Sequence, residues 1–228
     1  MGKIPRQAGT GTHPLLDHLE SYTALEAAPL LLGHTLVRTT EDGEIRCRII
    51  ETEAYGGIHD KGSHAFGGRN TERTRVMFGR GGMAYIYLIY GMYHCLNIVT
   101  GSEGDPQAVL IRAVEPLSER DERIMALYRG TKSRKAADVS NGPGKLCRAL
   151  RIDKSLNGEP LTNRSGPLFL APGQVQPDAE IMMGARINIP YAGEFASRPW
   201  RFFYKDHPYV SVKDKLAIPF DPIKAQEI

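Results

Sequence analysis

A chain of 228 residues, 41% hydrophobic and 24% charged with a formal net charge of +3, has room for one ordinary domain with a sizeable core. No apolar run approaches the roughly 18 residues of a membrane span, the polar start Met1-Gly2-Lys3-Ile4-Pro5-Arg6-Gln7 has no signal-peptide core, and Arg6 stands where a myristoylation pattern needs Ser or Thr. Cys47, Cys95 and Cys147 are odd in number and never spaced Cys-x-x-Cys, which speaks against a disulfide framework or zinc ribbon and for a reducing compartment; a cytoplasmic protein without membrane association is expected.

Residues 1–13 are small, polar and glycine-rich and read as disordered, while 14–228 read as a single domain, with no internal repeat and no dividing linker. Thr23-Ala24-Leu25-Glu26 has capping-box spacing and opens a helix running through Leu32, with Gly33 placed to stop it. A strand is expected through Thr39, a hairpin turn at Asp42-Gly43, and a second strand from Glu44 to Ala54. The stretch 56–82 is glycine-rich and polar, and reads as a long functional loop. From Arg69 to Arg80 four arginines, Arg69, Arg73, Arg75 and Arg80, stand against Glu72 alone, a local +3 equal to the charge of the whole chain, so the basic character is a patch. Such a cluster suits phosphate contacts, and it equally suits a solvated loop with ordinary ion pairs.

Four of the ten tyrosines follow, in Ala84 to Asn97, which reads as two strands joined at Gly91. Tyr85, Tyr87 and Ile89 alternate with Ile86, Leu88 and Tyr90, and the turn presents Tyr90, Met92 and Tyr93 around the glycine. Aromatic groups at a hairpin tip suit insertion between stacked bases, and tyrosines lower on the strand suit stacking on an extruded base; plain core packing is the other reading. Beyond lie a strand over 107–114, a charged helix from Ser118 to Tyr128, and Asn141-Gly142-Pro143-Gly144-Lys145 opening a short helix to Leu150, where Lys145 is a candidate phosphate contact. Short strands are expected at 167–170, 185–189 and 201–204.

Strand alternation places Glu51, Glu53 and Tyr55 on one face. Carboxylates two residues apart on a strand lie about 6.5–7 Å from each other and point the same way, whereas a glycosidase pair flanks its sugar. One working carboxylate is therefore expected: a single Glu can activate water and stabilise the cationic transition state of cleavage at an anomeric carbon. The alternative is a purely structural acid paired with Arg48 or Arg112. His59, Asp60 and His64 lack the spacing of a ligand set, so no metal is expected, and Lys61 is a poor Schiff-base candidate. No phosphate loop, dinucleotide fingerprint or serine elbow is present, and no cofactor is expected.

In their order along the chain, Glu51-Thr52-Glu53-Ala54-Tyr55, His64, Arg69, Met77-Phe78, Tyr85-Ile86-Tyr87, Tyr90-Gly91-Met92-Tyr93, Cys95, Asn97, Leu110-Ile111-Arg112-Ala113, Gly142 to Cys147 and Ala192 to Pro199 closely resemble the alkyladenine (3-methylpurine) DNA glycosylases. The resemblance implies an α+β domain, here expected as a curved, largely antiparallel sheet flanked by helices with a protruding hairpin. It implies a bacterial, monofunctional and monomeric enzyme of base excision repair that flips alkylated or deaminated purines from double-stranded DNA and hydrolyses the N-glycosidic bond. By position, Glu53 would activate the water, helped by Arg112 and the backbone at Ile187. Tyr55 and Tyr87 would clamp the base, His64 would hydrogen-bond it, Asn97 would crowd the amine of guanine, and Tyr90 would fill the gap. Met92, Tyr93, Arg69, Arg73 and Lys145 would contact DNA. A non-catalytic lesion-binding module and a nucleoside or glycoside hydrolase stand as the competing readings.

Overall fold

Thirteen consecutive extended residues, Gly43–Tyr55 (β2), organise the sheet. The computed structural model describes residues 14–130, 133, 135–173 and 179–222; the expectation of disorder at 1–13 lies outside them. Strand β1 (Thr35–Thr40) pairs antiparallel with the first half of β2, so that Glu41-Asp42 forms the two-residue turn and Gly43, at φ +99°, opens β2 rather than sitting inside the turn. Strands β3 (Ala84–Ile89), β4 (Tyr93–Thr100) and β5 (Gln107–Pro116) form a meander whose last member pairs along the other edge of β2. Strand β6 (Leu168–Ala171) adds to β1, while β7 (Ile181–Gly184), β8 (Arg201–Tyr204) and β9 (Ile218–Pro219) extend from the second half of β2. The open sheet therefore branches at β2, and all its pairings are antiparallel, as the fold class requires.

Short helices pack on one face: α1 (Pro14–Asp17), α2 (Ala24–Leu30), α3 (Glu119–Arg129) and α4 (Pro143–Ala149). The expected capping box is present in α2, where the Thr23 hydroxyl accepts from the Glu26 N–H and Glu26 accepts from the Thr23 N–H, satisfying two orphan donors. Ser118 caps α3 and Gly130, in the left-handed region, ends it.

Strand alternation divides the side chains of β3, β4 and β5 between two compartments. Ile86, Leu96, Ile98, Val109 and Ile111 join Ala27, Ala28, Leu146 and Leu150 from α2, α4 and their ends in the main core. The opposite face carries Tyr85, Val99 and Ala108, which with Ala65 and Met77 from the 56–82 loop make a second, smaller core. That loop holds three 3₁₀ turns and buries Ala65 and Met77 together with the polar Asp60, Ser63 and Thr74, more structure than its composition promises. The expected strand at 185–189 does not form. The strand lies earlier, at β7, and the following residues are irregular because Arg186 and the Ile187 N–H turn toward acids on neighbouring segments.

Candidate active site

The face carrying the smaller core opens into a cavity of about 420 Å³. Every second residue of three strands lines it: Tyr85, Tyr87 and Ile89 from β3, Tyr93, Cys95 and Asn97 from β4, and Ala108, Leu110 and Arg112 from β5. Tyr55 at the end of β2 and the segment 187–189 close one side, and His64 and Arg73 from the glycine-rich loop close another. Strand alternation and two loop segments thus gather Tyr55, His64, Tyr87, Asn97, Arg112 and Ile187 at one place, although 132 positions of chain separate the first from the last.

The two carboxylates of β2 lie on one face, since Arg112 reaches both, while Thr52 between them bonds the Ala28 carbonyl on the helix side. Their surroundings separate them. Glu51 is saturated: Oε1 accepts from Arg112 Nε at 3.0 Å, Arg201 Nη1 at 3.1 Å and Ser211 Oγ at 2.9 Å, and Oε2 accepts from the Ser211 N–H at 2.6 Å. Glu53, also fully buried, stands directly behind the cavity wall, because each group holding it belongs to a lining residue. Oε1 meets Arg112 Nη1 at 3.1 Å and the Ile187 N–H at 2.7 Å, and Oε2 takes only the Tyr55 hydroxyl at 2.8 Å. A register irregularity of β2 against β5 lies at this point, a device that re-aims side chains. Burial alone would lower the pKa of Arg112; Glu53 and Glu51 outweigh it and raise the value, so the guanidinium is charged. Burial first, then the Glu53 charge, pushes the Tyr55 phenol well above its ordinary value, so at neutral pH it is a donor.

The aromatic wall is a linked set. His64 Nδ1 lies 2.9 Å from the Tyr85 hydroxyl, its ring meets Tyr87 edge-on with centroids 4.5 Å apart, and Tyr85 and Tyr87 are 5.4 Å apart. Tyr85, for which the sequence offers only core packing, is buried and also positions His64. Burial, reinforced by Arg73, lowers the His64 pKa from 6.5 to about 4, so the ring is neutral under physiological conditions. An NMR titration of this imidazole is expected to show a midpoint near 4; a midpoint at 6.5 or above would mean that the ring is not held in this apolar setting. Asn97 donates to the Tyr85 carbonyl at 3.0 Å, which fixes its amide on the cavity floor.

At the hairpin tip Tyr90 and Gly91 both have positive φ, 53° and 69°, and the Met92 N–H closes the turn on the Ile89 carbonyl at 3.2 Å. A left-handed tyrosine costs roughly 1–2 kcal/mol, and the ring it presents is 75% exposed, beside Met92 at 67%. Strain spent on holding an apolar group in water points to a task outside the chain. Tyr93 packs on α4, where a Cβ at Gly144 would stand 3.0 Å from the tyrosine ring, so the glycine sets how closely the hairpin docks. Lys145 is tied to Asn141 at 2.7 Å and Asp138 at 3.5 Å. Arg69 is exposed and away from the cavity, whereas Arg73 lines it with its guanidinium 5.0 Å from the Tyr87 ring centre.

Three features escape sequence reading. Arg186 and Asp60 form a buried ion pair, with Nη2 to Oδ1 at 2.8 Å, and Arg186 also lies 4.7 Å from the Tyr55 ring centre. Asp60 in turn accepts from the Gly56 and Gly62 N–H groups, so the pair fixes the loop beside Tyr55. Arg201, fully buried, joins Glu51 to Asp214; of the two arginines the sequence offers as partners, Arg112 does meet Glu51, whereas Arg48 meets Glu115 at 3.7 Å. Tyr191 lines the cavity while 66% exposed. No spacing rule links these residues; the matched positions Ile187 and Ala192 to Pro199 are the local signals that their neighbourhood matters.

The chain matches the family model described as methylpurine-DNA glycosylase over residues 18–208. It is 48% identical over 193 residues to a Bacillus cereus (strain B4264) protein named "Putative 3-methyladenine DNA glycosylase", with 83% of this chain and 94% of the relative covered. A protein of the same name from Desulfitobacterium hafniense (strain Y51) is 45% identical over 194 residues with the same coverage, and one from Bacillus thuringiensis (strain Al Hakam) is 47% identical over 193.

Proposed function

The chain belongs to the methylpurine-DNA glycosylase family, and from that premise we propose that it flips alkylated or deaminated purines out of double-stranded DNA and hydrolyses their N-glycosidic bond with a water activated by Glu53. The observation that carries this reading is the pairing of Glu53 with three cavity-lining groups, Arg112, the Ile187 N–H and Tyr55, which leaves one carboxylate oxygen bound by a single hydroxyl. A base stacked against Tyr55 and Tyr87 brings its anomeric carbon toward that oxygen. The C–N bond breaks with its electron pair going to the base, the water oxygen bonds to the anomeric carbon, and the water proton goes to Glu53, leaving an abasic sugar and a free base. The buried negative charge stabilises the sugar cation of the transition state. Neutral His64 hydrogen-bonds the base, Asn97 crowds the guanine amine, and the wedge Tyr90 fills the vacated stack with Met92 and Tyr93 against the backbone.

Strand cleavage is not part of the reaction. A lyase step needs an amine at the sugar; among the described residues no lysine lines the cavity, and Lys61 is held by Glu194 at 2.8 Å. The protein acts as a monomer, with phosphate contacts from the exposed Arg69, away from the cavity, and from Lys145 at the start of α4. Duplexes that each carry one 3-methyladenine, 7-methylguanine, hypoxanthine or ethenoadenine are expected to yield strand breaks only after alkali treatment; breaks without alkali, or none with it, would overturn the reading. Tyr90→Ala separates it from nucleoside hydrolysis. Loss of the wedge is expected to lower release from a duplex by about 10- to 100-fold, as removal of a base-stacking contact does. The same change leaves hydrolysis of a free nucleoside untouched.

A further inference from the structure

The charge balance of the cavity is set by one residue. Among the described residues, its lining contains no aspartate or glutamate. Arg112 is neutralised by Glu51 and Glu53, and His64 is uncharged. Arg73 makes no salt bridge among the described residues, and its guanidinium lies 5.0 Å from the centre of Tyr87. It stands close enough to weigh on His64, Tyr85, Cys95 and Tyr191, which line the cavity with it. A cation is thus already seated on the π-system that a flipped base would use.

From this arrangement we infer that Arg73 is a specificity-determining residue that biases the cavity toward uncharged lesion bases such as hypoxanthine and against cationic N-alkylpurines such as 7-methylguanine. The inference rests on the glycosylase reading and goes beyond it. A cationic purine gains from the face of Tyr87, but it must share that ring with a guanidinium of the same sign, and like charges at this range repel. A neutral purine meets no such conflict, and a planar guanidinium stacks well beside it. Departure adds to the bias. An alkylated purine leaves as a neutral molecule, whereas an uncharged purine takes the electron pair of the C–N bond and builds negative charge, which a nearby cation stabilises. Neutral His64 carries no surplus proton for that base, so Arg73 supplies electrostatic help in place of an acid.

The test compares single-turnover release of 7-methylguanine and of hypoxanthine from otherwise identical duplexes by the wild-type chain, Arg73→Gln and Arg73→Lys. The side chain is exposed, so both variants are expected to fold, with thermal midpoints checked. Arg73→Gln is expected to raise the ratio of 7-methylguanine to hypoxanthine release by about five- to tenfold, the size of a screened charge–charge contact at the mouth of a cavity. Arg73→Lys, which keeps the charge, is expected to keep the ratio. If both rates fall together with weaker binding of undamaged duplex and the ratio stays constant, Arg73 is a phosphate contact and the inference is overturned. The same follows if Lys behaves as Gln does. Release of neither base by the wild-type chain overturns the glycosylase reading itself, a distinguishable failure.

Discussion

Glu53→Gln is expected to slow single-turnover release of a damaged purine by about 10²- to 10⁴-fold, the usual contribution of a general base, while binding to a duplex with an abasic site persists. The amide can take the place of the carboxylate. Its oxygen still faces Arg112 Nη1 and accepts from the Ile187 N–H, and its NH₂ can donate to the Tyr55 hydroxyl, which reverses that hydrogen bond without moving the ring. Two properties are lost: the capacity to take the water proton and the negative charge opposite the sugar cation. Arg112 keeps Glu51 as a counter-charge, so the fold tolerates the change better than the chemistry does. A lesion-binding module without catalysis has no rate to lose, and near-wild-type release by Glu53→Gln would rule out the carboxylate as the base.

The parts of this site that obey a local period are legible in the sequence. Alternation alone groups Tyr85, Tyr87 and Ile89, and the same rule puts Glu51, Glu53 and Tyr55 on one face of β2. Capping chemistry reads equally well at Thr23 and Ser118. What alternation cannot supply is the partner across the sheet. Glu51 and Glu53 look alike along the strand, and only the arrival of Arg201 and Ser211 from the last fifth of the chain saturates one, while the other is held by residues that line the cavity. The irregular path of 185–189 has the same origin: a strand-like apolar run gives up its ladder because Arg186 and the Ile187 N–H are claimed by Asp60 and Glu53. Arg73 is a third instance, since charge count marks it as a phosphate contact and only the fold of the loop sets it against Tyr87.

Glu51→Gln is expected to damage the fold rather than the chemistry, lowering stability by about 3–5 kcal/mol, as breaking a buried ion pair does. Four hydrogen bonds converge on this carboxylate, from two arginines and from both polar groups of Ser211. An amide keeps one acceptor oxygen and turns an NH₂ toward donors, so Arg201, fully buried, is left with Asp214 as its remaining carboxylate. The loss reaches the site indirectly, because the same Arg201 holds the Ala185 carbonyl at 2.8 Å, two residues before the Ile187 N–H that binds Glu53. For a chain of this size the thermal midpoint should fall by roughly 6–20 °C. Below that midpoint the folded fraction should still release base, since Glu53 keeps its own partners. Scanning calorimetry against release per folded molecule distinguishes the two acids: a Glu51→Gln protein of wild-type stability and lost activity would exchange their roles.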